Sequence, residues 1–290
     1  MALIIPATTG LNVDAKYASI FEPNLYHNTW LIPGITCTDK YKEVGAGQIY
    51  VHKFKGATET EPGTPGRDFI HTNVSDELIQ ISLNNNFMES DKVYRVALNS
   101  ITANVADEML SNVVAKIQGG YNQSALACLV TEGTQSSGSA LTASTVKKEL
   151  LAARTALVKK KGRANVVLCS PDTYGIILEA AGDKFTPSFN ERLNNDAQVG
   201  RWLGMTFIEV SGLSATSAKY NNNGGTSKTA AFSGIDFIMY NYEAFSVVGN
   251  LEVFRIVDGG KDFNGSVAQG ELNVGYRVTN ADLVSVRKTA

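Results

Sequence analysis

The sequence predicts an α+β fold on three observations. Stretches near both ends of the chain alternate apolar and polar residues, apolar residues recur every four positions over a long central run, and a helix–strand–helix–strand succession follows. Period two marks a half-buried strand, and a spacing near 3.6 marks a helix face. The chain has 290 residues, enough to bury one large core or two smaller ones. Its 26 basic and 28 acidic residues nearly cancel, and its 19% charged content lies below the roughly one quarter typical of soluble domains. Such a shortage of charge implies that part of the surface faces protein and not water. No apolar run approaches the roughly 18 residues of a membrane helix, and the opening Met1-Ala2-Leu3-Ile4-Ile5-Pro6 lacks a basic leader, so neither a membrane span nor a secretion signal is expected. Cys37, Cys128 and Cys169 are odd in number, widely spaced and free of a CxxC pattern, which reads as reduced thiols without a zinc site.

In chain order, residues 1–44 mix isolated apolar residues with turn formers and hold neither period. Leu11, Tyr17, Phe21, Tyr26, Trp30 and Leu31 make this stretch too apolar for a solvated tail, so it reads as an arm that needs a surface to lie on, that of a neighbouring subunit included. Gly47 to Phe54 has strand character, the segment 55–68 has almost nothing to bury, and Phe69 to Val74 is expected to pair back as the return strand of a long hairpin. A lone hairpin is marginal, so it too is expected to rest on a partner. Glu77 to Leu83 alternates as a half-buried strand, followed by an Asn84-Asn85-Asn86 turn and a further element at Lys92 to Ala97.

Val105, Met109, Val113, Ile117, Tyr121, Ala125 and Leu129 then predict a helix of about 25 residues and roughly 37 Å, with a kink or break expected at Gly119-Gly120. Thr131 to Ala143 reads as a polar loop and internal boundary. Ser144 is placed as the cap of a helix carrying Val146, Leu150, Ala153 and Leu157, which closes at Lys159-Lys160-Lys161-Gly162. Asn165 to Cys169 is a buried strand, Ser170-Pro171-Asp172 starts a short helix ending at Gly182, and strands follow at Met205 to Val210 and Ala230 to Tyr240. Leu251 to Val257 and Leu272 to Arg287 return to strands. Leu272, Val274, Tyr276 and Val278 share one face, and Val284 and Val286 form another short run.

The residues give no catalytic constellation. His27 lies in the arm, while His52 and His71 fall on the two expected hairpin strands and read as facing each other or solvent. No GxSxG elbow is present, and Gly45-Ala46-Gly47 and Gly259-Gly260 lack the strand–loop–helix setting of a phosphate cradle. Lys159-Lys160-Lys161-Gly162-Arg163 complements a helix C-terminus more readily than it reads nucleic acid. Asp258, Asp262, Glu271 and Asp282 lack calcium-loop spacing, and Asn221-Asn222-Asn223-Gly224-Gly225 reads as a loop tip.

The order of elements resembles the major capsid proteins of tailed bacteriophages, the Hong Kong 97-type shell fold also used by encapsulins. Tyr17 to Pro33, Gly45 to Lys53 and Leu193-Asn194-Asn195-Asp196-Ala197-Gln198-Val199-Gly200-Arg201-Trp202-Leu203-Gly204 resemble phage coat sequences. The helix ending near residue 182, a polar loop and Gly200 to Val210 returning as a strand fit as well. The likeness covers the whole chain in layout, through patterns of elements and not an invariant signature. It implies an N-terminal arm at 1–44, an extended loop at 45–76, a peripheral domain at 77–141 with a spine helix at 103–130, an axial domain at 142–248 and return strands of the peripheral domain at 249–290.

The function implied is structural, without enzymatic activity or cofactor. Copies would assemble through pentamers and hexamers into an icosahedral phage head enclosing double-stranded DNA without sequence-specific binding, built in the host bacterial cytoplasm. A separate scaffolding protein, a portal and decoration proteins are the implied partners. Inter-subunit contacts are expected from Tyr17, Phe21, Tyr26 and Trp30 on the arm and from Lys53, Phe54, Arg67 and Phe69 in the extended loop. Some members crosslink a loop lysine to an asparagine; Lys53 and Lys55 lie in the corresponding loop, but no isopeptide chemistry is assigned. Some members also begin with a cleavable scaffolding segment, whereas this chain opens almost directly with the arm, which reads either as a separate scaffold or as a processed form, Met1 favouring the former. Deletion of residues 1–30 is expected to leave a folded, assembly-defective protein. The rival readings are an encapsulin-like compartment packaging an enzyme, a tail-tube subunit, which would lack the long helix and the α/β unit, and a monomeric α/β enzyme.

Overall fold

The computed structural model describes residues 30–38, 40, 47–55, 75–94, 105–160, 162–187, 199–260 and 263–290. Strand β1 (Gln48–Lys55) pairs antiparallel with β2 (Ser75–Ser82), with Ile49 opposite Ile81 and Val51 opposite Ile79. Its partner is therefore the alternating segment near 77–83. The return strand expected at 69–74 lies outside the described residues. The inward side chains of this hairpin, Val51, Ile79 and Ile81, form a small core with Leu83 and Val248.

A second sheet stacks three antiparallel strands in the order β12 (Phe245–Gly260), β13 (Phe263–Val278) and β3 (Asn85–Tyr94). Helix α1 (Val105–Glu132) lies across it, 28 residues and about 42 Å long. It runs unbroken through Gly119-Gly120, where a kink was expected. The reason is steric: a Cβ on Gly120 would stand 3.2 Å from the Phe87 ring on β3, so the glycine admits a neighbour instead of interrupting the helix. Gly270 on β13 does the same from the sheet side, since a Cβ there would come within 2.6 Å of Ile117 and 2.7 Å of Phe254. Met109, Val113 and Ile117 of α1 meet Val93 and Ala268 of the sheet, and Lys116 reaches Asp91 at 2.6 Å and Glu89 at 3.3 Å. Beyond Ser124 the helix is swallowed: residues 125–130 are all buried, as a helix inserted between two layers must be.

The second layer is a seven-stranded mixed sheet. Its strands are β4 (Thr134–Gly138), β5 (Val166–Cys169), β6 (Thr186–Pro187), β7 (Val199–Trp202), β8 (Met205–Glu209), β11 (Ile235–Tyr240) and β14 (Val284–Thr289), in the spatial order β4-β14-β11-β5-β8-β7-β6. Period two decides what each face carries. Val166, Leu168, Ile238 and Tyr240 point toward the core shared with α1, while Val167, Cys169, Phe237 and Met239 point toward α2 (Val146–Lys159) and α3 (Pro171–Ala181). Helix α3 starts as the sequence predicts, with the Ser170 hydroxyl accepting from the Thr173 amide at 3.3 Å, Pro171 in the first turn and Gly182 as its C-cap. The N-cap position of helix α2 falls to Thr145, one residue beyond Ser144, without a side-chain cap bond, and the Ser144 hydroxyl lies 3.0 Å from that of Thr142. The two-residue turn between β7 and β8 puts Leu203 and Gly204 at positive φ, 52° and 78°, as the tightest hairpins require.

Three sequence expectations change here. The polar stretch after α1 is not all loop, because Thr134–Gly138 forms an edge strand parallel to β14. Its side chains are nearly all exposed, and an edge ladder rests on main-chain groups that need no apolar pattern. The strand expected over Ala230 to Tyr240 is two, since β10 (Ser227–Ala231) pairs with β9 (Ser217–Asn221) in a separate ribbon and Gly234, at φ 75°, turns the chain into β11. Strand β14 closes the seven-stranded sheet, not the three-stranded one.

A buried charge cluster locks that closure. The Arg287 guanidinium, 5% exposed, donates to Asp236 on β11, to the Ser139 carbonyl at 2.6 Å and to Glu149 of α2 at 3.4 Å, and Asp236 also accepts from the Thr289 hydroxyl at 2.9 Å.

Candidate assembly surfaces

The residues expected to make inter-subunit contacts fall into three groups. Tyr17, Phe21, Tyr26, Arg67 and Phe69 lie outside the described residues. Phe54 takes its place on β1 opposite Asp76, and Lys53 stands opposite Glu77, half-buried, with Nζ donating to the Thr279 carbonyl at 3.3 Å. Trp30 is 3% exposed and stacks on Phe245 with centroids 6.5 Å apart and an interplanar angle of 16°. Its ring is thus buried in the core of its own chain, and the clasp it makes is intramolecular. The following residues fix it there. The Ile32 amide donates to the Thr36 hydroxyl at 2.7 Å, that hydroxyl donates to the Trp30 carbonyl at 2.8 Å, and the Tyr240 hydroxyl donates to the Thr36 carbonyl at 2.9 Å.

The surfaces open to a partner lie elsewhere. On the outer face of the β1–β2 hairpin, Tyr50 is 53% and Leu78 58% exposed, and Leu78 stands opposite His52 in register, while His71 lies outside the described residues. On the outer face of the three-stranded sheet Met88 is 68% exposed, across β13 from Val253 at 39%. The sequence carried a signal for Leu78, an apolar residue out of phase with Ile79, Ile81 and Leu83. Met88 sat in a polar run that gave none.

The two asparagine runs, expected as a turn and a loop tip, interlock at the base of the hairpin, with Asn85 and Asn86 opening β3 and Asn221 closing β9. Asn85 and Asn221 exchange bonds, the Asn221 amide N–H donating to Asn85 Oδ1 at 2.7 Å and Asn85 Nδ2 donating to the Asn221 carbonyl at 3.1 Å. Asn84 donates to the Asn222 carbonyl, and Asn223 accepts from the Ser82 amide at 3.1 Å and donates to the Gln80 carbonyl. Amide side chains suit this role because each is both donor and acceptor and so can mimic a strand edge. The ribbon β9–β10 thereby grips the end of β2. Asn223→Ala is expected to remove about 1–3 kcal/mol of local stability, read as faster amide exchange at residues 79–82 with little change across α2 and α3.

Reactive groups in the interior are held inert. Burial pushes the Cys169 thiol far above the usual range, and burial followed by the nearby Glu132 carboxylate does so for Cys128. All three cysteines are buried thiols outside any disulfide. A thiol whose pKa is raised on folding keeps its proton while the unfolded chain loses it, so stability should fall as pH climbs above about 8.5. The native protein is expected to leave these thiols unreactive toward an aromatic disulfide reagent and to expose all three in denaturant. Among the described residues there is no group of three or more metal-capable side chains and no helix long and apolar enough to cross a membrane.

No protein-family model matches the sequence, and no curated protein does. Solved structures match throughout. The mature capsid of bacteriophage PhiM1 superposes with a TM-score of 0.68 at 12% identity, over 97% of this chain and 92% of that one. The capsid of cyanophage P-SCSP1u gives 0.67 at 13% identity over 100% and 99%, and the acid-stable capsid of Helicobacter pylori bacteriophage KHP30 gives 0.66 at 9% over 98% and 96%. The fold is the Hong Kong 97-type phage capsid fold. Because the likeness spans nearly the whole of both chains, the capsid fold takes in the α1 layer, the seven-stranded sheet and the hairpin together, at identities where only patterning and packing remain in common.

Proposed function

We propose that this chain is the structural subunit of a phage head, assembling through pentamers and hexamers into a closed icosahedral shell around double-stranded DNA. The observation that carries the reading is the end-to-end fold likeness to capsid structures from diverse phages. Exposed apolar side chains on two sheet faces, Tyr50 and Leu78 on one and Met88 on the other, support it, since patches of this kind mark protein contacts. In this reading the arm is 1–44 and the extended loop 45–76. The three-stranded sheet with α1 is the peripheral domain, and the seven-stranded sheet with α2 and α3 is the axial domain, which also takes in β4 and β14. The contacts expected of Tyr17, Phe21, Tyr26, Lys53, Phe54, Arg67 and Phe69 belong to this proposal, as do the scaffolding, portal and decoration partners and assembly in the bacterial cytoplasm. Weak contacts repeated over a closed shell sum to a strong container, so no single interface need be large. Negative-stain electron microscopy with light scattering, with and without a co-expressed scaffolding protein, tests it. Closed shells or capsomer rings are expected; a uniform monomer under every condition overturns it.

A further inference from the structure

Helices α2 and α3 cover the outer face of the seven-stranded sheet side by side, and each turns a stripe of one charge sign outward. On α2, Lys147, Leu151, Arg154 and Val158 are exposed at i, i+4, i+7 and i+11, one line along the helix, with Leu151 37% and Val158 51% exposed. On α3, Asp172, Gly175 and Glu179 are exposed at i, i+3 and i+7, beside Leu178 at 37%. Lys147 and Arg154 are seven residues apart, as are Asp172 and Glu179, so both charge pairs repeat at about 10 Å. Among the described residues none of these four forms an ion pair. Gly175 adds an independent observation: it weakens a helix interior, yet a Cβ there would meet nothing within 4 Å in this chain.

We infer that the α2 stripe of one copy packs on the α3 stripe of the next, Lys147 and Arg154 facing Asp172 and Glu179, with Leu151 closing over Gly175 and Val158 lying one turn beyond the charged pairs. The occupant is a second copy because the complement of each stripe, in sign and in spacing, is present on the same chain. Two different surfaces meet in such a contact, so it is heterologous and closes into rings when the rotation permits. The inference rests on the shell reading and names the faces that would build its rings.

Charge reversal tests it. Lys147→Glu with Arg154→Glu, and Asp172→Lys with Glu179→Lys, are each expected to cut ring and shell yield by roughly tenfold or more, because like charges then oppose each other. The unfolding midpoint of the unassembled chain should stay in place. All four substitutions in one chain restore assembly, which misfolding would not allow. An equal mixture of the two double variants forms six-membered rings and no five-membered ones, since alternation of two species needs an even ring. Wild-type shells accompanied by double variants that assemble normally, or by a quadruple variant that is not rescued, overturn this inference alone. Normal shells that lose only DNA retention reassign the α2 stripe to nucleic acid and overturn it too. A wild type that never assembles overturns it together with the shell reading.

Discussion

Asp236→Ala is expected to destabilise the protein by about 3–5 kcal/mol, lowering its urea midpoint without changing the denaturant slope. The side chain lies on β11, 14% exposed, against a guanidinium that is itself 5% exposed. Removing the carboxylate leaves the Arg287 cation in a low-dielectric site with only the Ser139 carbonyl and the longer contact to Glu149. The Thr289 hydroxyl loses its acceptor in the same step. Desolvation of the stranded charge sets the size of the effect, not the strength of the pair. It follows that Asp236→Asn should cost less, because an amide oxygen still accepts from Arg287 and Thr289. Replacing Asp236 and Arg287 together by apolar residues of matching volume should cost less than Asp236→Ala alone. A loss below about 1 kcal/mol for Asp236→Ala would mean that water reaches the guanidinium. Because Arg287 joins β14, β11, the segment after β4 and α2, the prediction also tests whether the sheet and its helix layer unfold as one unit.

How far the sequence reached depends on whether a signal was local. The start and stop of α3 were legible because Ser170, Pro171 and Gly182 act on backbone groups within one turn. The periodicity of α1 was legible since its buried residues keep one spacing, but its continuity was not: whether Gly119-Gly120 breaks a helix depends on Phe87, a residue distant in sequence. Strand β4 was invisible for the opposite reason, its pairing being entirely main chain at an edge with no buried side chain to set a period. The link between the Asn84 and Asn221 runs crosses more than 130 residues, and polar residues that bond each other leave the same sequence pattern as those that bond water. On the proposed assembly surfaces, the seven-residue spacing of Lys147 with Arg154 and of Asp172 with Glu179 follows from the expected helices, but the exposure of all four side chains does not. That depends on how the two helices sit on the sheet beneath them.

Removing residues 1–29 and removing residues 1–38 are expected to give opposite results, although the cuts differ by nine residues. Residues 30–38 carry Trp30, Leu31, Ile32 and Cys37, each no more than 7% exposed, with Thr36 and Thr38 buried among them. Each large apolar side chain there contributes about 1.5–3 kcal/mol by leaving water. Deleting them also removes the acceptor of the Tyr240 hydroxyl, which is itself fully buried, and the Thr38 amide that bonds the Phe245 carbonyl at 2.8 Å. Their combined loss is comparable to the whole stability of an ordinary domain, so the longer deletion should yield unfolded or aggregated chain. The shorter one leaves this segment in place, and the monomer's unfolding free energy should move by less than about 1 kcal/mol while shell yield falls. Trp30→Ala alone should cost about 3–5 kcal/mol. Trp30→Phe should cost much less, because the indole Nε1 is buried without an acceptor among the described residues and only the ring's apolar face is lost in part. A cut after residue 30 removes the anchor along with the arm, so failure of that truncation to assemble would report on folding. Placing the cut one residue earlier separates the arm's contribution to neighbours from Trp30's contribution to its own core.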